Sequence, residues 1–114
     1  MKLIVAIIRP EKLDDVRNAL VEKGIPGMTL SRVSGHGRTA HRTGLYRGQV
    51  IDIPLAAKIR MEIAVTNDQK DEIVDLIWQA ARSGGDRTGD GKIFVVPVEE
   101  SVRISSGERG EDAV

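Results

Sequence analysis

The hydrophobic patterning of this chain predicts an α+β fold in a single domain. Three observations carry that expectation. Apolar residues recur at helical spacing in two stretches, and short stretches of strand character flank each of them. The order strand, helix, strand is then run through twice. At 114 residues the chain suits one domain, 1–114, whose modest share of buried surface leaves room for further burial by self-association.

Lys2 to Arg9 is apolar on both faces, as a central strand covered on two sides would be. Pro10 stands where a first helical position belongs and Glu11 falls in the first turn. Leu13, Val16, Ala19 and Leu20 keep the helical period, and Gly24 and Pro26 follow Lys23, so the spacing predicts a helix over 10–23. Met28 to Gly35 reads as a second strand with Met28, Leu30 and Val33 inward. From Lys58 the alternation is cleaner, with Ile59, Met61, Ile63 and Val65 on one side and Lys58, Arg60 and Glu62 on the other. Thr66 and Gln69 form a capping-box pattern, and Ile73, Ile77, Ala80 and Ala81 make the stripe of a second helix ending near Arg82 and Gly84. Ile93 to Val98 is a fourth strand, Val102 to Ile104 a candidate short fifth, and residues 105–114 a polar, flexible C-terminal tail. This is the ferredoxin-like βαββαβ sandwich order, with a long exposed loop, 37–57, between the second and third strands. That loop is basic and suited to docking on a partner.

Composition narrows the function classes. Basic and acidic side chains balance at 17 each, which removes the electrostatic argument for a nucleic-acid or membrane-surface protein. Aromatic residues are only 3% of the chain, too few for the stacking platform of an RNA-recognition sheet. There is no cysteine, hence no thiolate metal site or Cys nucleophile, and His36 and His41 without a dense carboxylate set do not make a metal site of protein ligands. The LIVAII start is too short for a signal or a membrane span, so a cytoplasmic home is the default expectation.

The stretch 83–91 is Gly-rich and runs into Lys92 and a strand. Two readings stand open: a phosphate cradle, in which successive N–H groups and a lysine face an anion, or a flexible connector. It is not a P-loop, because Asp86 stands in place of the first glycine and Ile93 follows Lys92. Paired carboxylates and the Ser and Thr residues show no catalytic context, so no catalytic residue is assigned.

The segments RPEKLDDVRNAL, GMTLSRVSGHGR, LYRG, GDGKIFVVPVEE and SSGERGEDAV, in this order, together resemble the nitrogen-regulatory PII signal-transduction family over essentially the whole chain. The resemblance implies a homotrimer that binds ATP or ADP between subunits, with 2-oxoglutarate and a magnesium ion beside ATP in many members. It also implies a long loop that engages ammonium channels, enzymes and regulators. Carried over by position, it implies a nucleotide pocket of Ile7, Thr29, Gly35, Gly37, Arg38, Glu62 and Ala64, with Gly89, Asp90, Gly91, Lys92 and Arg103 at the phosphates. Thr39 and Lys58 are implied at the effector, and Arg42, Tyr46 and Arg47 in the partner-docking loop, Arg47 at the place of the arginine that plugs an ammonium-channel pore.

Departures from the family pattern are part of the expectation. Thr39 replaces a glutamine and lacks its reach and amide carbonyl, which makes 2-oxoglutarate a doubtful ligand. Ile51 and Gln49 stand where other members carry a modified tyrosine and serine, and Ser105 where a second phosphate-binding arginine is usual. The Gly-rich loop is about two residues longer around 85–88 than the family's loops, a length read from the resemblance. Two rival readings remain at this stage: a small nucleotide-hydrolysing or phosphoryl-transfer enzyme using the same loop, and an interaction module without ligand.

Overall fold

The computed structural model describes residues 1–35, 45–46, 49–50, 55–84 and 89–114. In chain order its elements are β1 (Lys2–Ile8), α1 (Leu13–Glu22), β2 (Thr29–Gly35), the two-residue strands β3 (Leu45–Tyr46) and β4 (Gln49–Val50), β5 (Ala56–Val65), α2 (Asn67–Ala81) and β6 (Gly91–Pro97). Four strands form one antiparallel sheet in the order β2-β5-β1-β6, while β3 and β4 pair with each other. Both long helices lie on one face, giving the ferredoxin-like α+β arrangement that the element order predicts.

The core lies between that face and the helices. Ile4, Ala6 and Ile8 of β1 and Ile59, Met61, Ile63 and Val65 of β5 meet Val16 and Leu20 of α1 and Ile73, Ile77 and Ala81 of α2. Burying each large aliphatic side chain contributes about 1.5 to 3 kcal/mol, so this two-layer contact dominates the stability of the domain. No polar residue is buried among the described residues.

Helix ends follow local chemistry. The predicted helix over 10–23 begins instead as a 3-10 turn, Pro10–Lys12, before α1 takes over at Leu13. The tighter turn suits a segment led by proline. At its other end Gly24 adopts φ +85°, its N–H donates to Val21 and the Ile25 N–H donates to Leu20, a Schellman ending that tucks Ile25 against the core. The capping box of α2 is formed as expected, with the Thr66 N–H donating to Gln69 Oε1 at 3.3 Å.

Two readings of the strands need correction. Val33 does not face the core: it pairs with Lys58, whose side chain points to the face without helices, while Leu30 and Arg32 share the helix side. β1, expected to be covered on both sides, is covered only in part on its second face, where Val5 is buried at 6% exposure while Leu3 and Ile7 are intermediate. Leu3, Val5 and Ile7 point there beside Phe94 and Val96, which remain half-exposed.

The expected fifth strand is only an isolated bridge between Val102 and Arg109. In the segment expected as a flexible tail, hydrogen bonds from Arg103 N–H to Glu108, Gly107 N–H to Arg103 and Gly110 N–H to Ser101 turn the backbone on itself ahead of a 3-10 turn, Gly110–Ala113.

Candidate anion-binding site

The sheet face without helices is ordered in rows set by strand register. Leu3 lies beside Ala64 and Val96. Val5 lies beside Glu62 and Phe94, with Thr29 next to Glu62. Ile7 lies beside Arg60 and Lys92. One step further, past the last paired residues Ile8, Ile59 and Gly91, the same antiparallel register sets Arg9 opposite both Lys58 and Asp90. Along β1 the face therefore runs from aliphatic to charged, and four cations, Arg60, Lys92, Arg9 and Lys58, gather at its charged end.

Most of that charge is held in place. The Arg9 guanidinium donates through Nε to Asp90 Oδ1 at 2.9 Å and lies 3.8 Å from Glu11. The other carboxylate oxygen of Asp90 accepts the Ser83 N–H at 2.9 Å, so Asp90 ties the two flanks of residues 84–89 together. The Ser83 N–H, followed by the Arg9 guanidinium, holds the Asp90 carboxyl down at about 2 against the opposing effect of burial. Lys58 donates to the Gly89 carbonyl oxygen. Burial and the neighbouring Arg9 cation lower the Lys58 ammonium from its ordinary value, while Glu11 and Asp90 pull the other way. Arg60 is paired with Glu62 at 2.9 Å. Lys92 is exposed and has no ion-pair partner among the described residues.

Glycine is required at the turn into β6. Gly91 has φ +109°, and a Cβ there would stand 1.7 Å from the Ile7 carbonyl oxygen. Gly89 has φ +89°. The backbone of 89–91 thus turns against the end of β1, with a lysine immediately after it. Backbone N–H groups beside a free ammonium are the chemistry of a phosphate or carboxylate site.

The sheet brings together much of the pocket expected from the sequence. Ile7, Thr29, Glu62, Ala64 and Lys92 share the uncovered face, and Gly35 pairs with Ala56 at the end of β2. Arg103 belongs to the C-terminal turn, where its guanidinium donates to the Asp112 carbonyl at 3.2 Å. Gly37, Arg38, Thr39, Arg42 and Arg47 lie outside the described residues, as do His36, His41 and 85–88; Tyr46 is described only as backbone in β3.

A cleft of about 350 Å³ opens beside the same turn, lined by Val74 and Trp78 of α2, by Arg82 just past its C-terminus, and by Asp90, Gly91 and Lys92. It reaches toward α2 rather than across the face that carries Thr29, Glu62 and Ala64. Sequence reasoning missed Arg9 as a site residue and missed the Arg82 guanidinium stacked 4.9 Å from the Trp78 ring centroid. The second was legible as an i, i+4 pair on a helix; the first needed the strand register.

A family model described as Nitrogen regulatory protein P-II matches residues 1–108. Proteins called Nitrogen regulatory protein P-II from Pasteurella multocida, Microchaete diplosiphon and Nostoc punctiforme are 48%, 50% and 49% identical to the chain over 114 residues, the full length of both partners in each case.

Proposed function

We propose that this chain, which belongs to the nitrogen regulatory P-II family, is an adenine-nucleotide sensor that passes occupancy of the site at 89–92 to a partner protein. The family is one of regulatory proteins, not enzymes. The observation that carries the nucleotide reading is the meeting of the Gly89–Gly91 turn with Lys92 and the charged row at one end of the open sheet face. A di- or triphosphate calls for such a set of N–H donors and cations. In this reading Ile7, Thr29, Gly35, Gly37, Arg38, Glu62 and Ala64 surround the nucleoside, and Gly89, Asp90, Gly91, Lys92 and Arg103 stand at the phosphates. The Asp90 contribution is its backbone N–H, since its carboxylate is engaged with Arg9 and Ser83.

The remaining parts of the reading rest on family membership and on the uncovered sheet face. A homotrimer would cover that face and complete the site with residues of a neighbouring subunit. The partner, a transporter such as an ammonium channel or a regulated enzyme, would dock on residues 37–57 through Arg42, Tyr46 and Arg47, in the cytoplasm. No helix among the described residues is long and apolar enough to cross a membrane. Magnesium would accompany ATP, and 2-oxoglutarate would add little, because Thr39 lacks a glutamine's amide carbonyl.

Titration calorimetry with ATP, ADP and AMP tests the reading: at least one should bind below millimolar concentration, and failure of all three overturns it. Lys92→Ala should weaken that binding and leave the oligomer intact. A tenfold gain in ATP affinity on adding 2-oxoglutarate, about 1.4 kcal/mol of coupling, would show that Thr39 does not disable the effector site.

A further inference from the structure

Lys58 does more at this site than add charge. Its ammonium donates to the Gly89 carbonyl oxygen, and the peptide bond that this carbonyl shares with the Asp90 N–H is trans. In a trans peptide the C=O and the N–H point in opposite directions. Holding the carbonyl on the Lys58 side therefore aims the Asp90 N–H away from Lys58. The constraint matters because this peptide follows Gly89 at φ +89°, a residue with no Cβ to resist rotation of the plane. The Asp90 side chain is fixed independently by Arg9 Nε and the Ser83 N–H, both at 2.9 Å, which leaves the peptide plane as the free variable of the turn.

We infer that Lys58 is a positioning residue for the phosphate site: by holding the Gly89 carbonyl it selects the peptide orientation in which the Asp90 N–H, rather than a carbonyl oxygen, faces the bound anion. A flipped plane would present an oxygen to the phosphate and repel it. The inference deepens the nucleotide reading and rests on it.

The test compares wild type with Lys58→Met, which removes the donor, and Lys58→Arg, which keeps one. Residual dipolar coupling of the Asp90 amide in the unliganded proteins reads the N–H direction, and calorimetry with ADP reads its consequence. Lys58→Met should change the coupling and raise the ADP Kd about tenfold, a difference of about 1.4 kcal/mol, and Lys58→Arg should return both toward wild type. An unchanged coupling in Lys58→Met overturns the inference. So does an ADP Kd within twofold of wild type, or a failure of Lys58→Arg to recover either value. If wild type does not bind ADP, the calorimetric comparison is made with whichever of ATP and AMP does bind; if none of the three binds, the nucleotide reading falls and the coupling alone decides whether Lys58 orients the turn.

Discussion

Asp90 concentrates the local chemistry of the site, because one carboxylate joins the end of β1, the residue after α2's C-terminus region and the turn into β6. Its folded value of about 2 lies below the ordinary 3.8, so the charged form is the one stabilised by folding. The contribution is full above about pH 4 and is lost as pH falls through about 2, the window between unfolded and folded values. Its side chain is 26% exposed, and with allowance for solvent screening it is worth on the order of 1 to 2 kcal/mol. Urea unfolding at stepped pH should show wild type losing stability in this window more steeply than Asp90→Asn; parallel curves would mean that the carboxylate is not clamped. Gly91 gives a sharper residue-scale expectation. Because an added Cβ meets the Ile7 carbonyl oxygen at 1.7 Å and φ is +109°, Gly91→Ala should cost about 3 kcal/mol or more. A loss under about 1 kcal/mol in the same unfolding assay would contradict that close approach.

At the scale of elements, α2 is the clearest case of local sequence setting local structure. Thr66 and Gln69 satisfy the first N–H groups of the helix reciprocally, and Thr66→Ala should cost about 1 kcal/mol in chemical denaturation, with a negligible loss arguing against the cap. The same legibility holds wherever the signal is short-range. Gly24 ends α1 through its own backbone freedom, and alternation alone sorts Ile59, Met61, Ile63 and Val65 from their polar neighbours. It fails at β2, an edge strand exposed on most of its length, where burial imposes no period and Val33 turns out to share a face with Lys58. It fails for the candidate site too, for a different reason. The Gly-rich turn and Lys92 were readable along the chain, but Arg9 joins Asp90 and Lys58 only through the registers of β1 with β5 and β6, strands far apart in the chain that no short hairpin turn aligns.

The whole molecule leaves one imbalance. Among the described residues helices cover a single face of the sheet, yet β1 is aliphatic on both, and on the other side Phe94 is 50% and Val96 43% exposed beside Leu3 and the buried Val5. Exposed apolar surface along β6, bordered by the half-buried Leu3, is better explained by a protein partner than by water. A second and third copy of the chain would supply that cover, and they would do so at the same face whose far end carries Arg60, Lys92, Arg9 and Lys58. Assembly and ligand binding would then be coupled by geometry, since a neighbour seated on the aliphatic rows would lie next to the charged ones. Phe94→Asp tests this at one position. A carboxylate there would be solvated in the isolated chain, whose core lies on the opposite face, but would be stripped of water in an assembly at a cost of several kcal/mol. The variant should keep its far-UV circular dichroism, run at monomer mass in light scattering while wild type runs at the mass expected of a trimer, and lose nucleotide affinity along with assembly. A variant that stays assembled would move the interface elsewhere on the molecule, and a monomer that binds ADP as tightly as wild type would mean that one chain holds the nucleotide unaided.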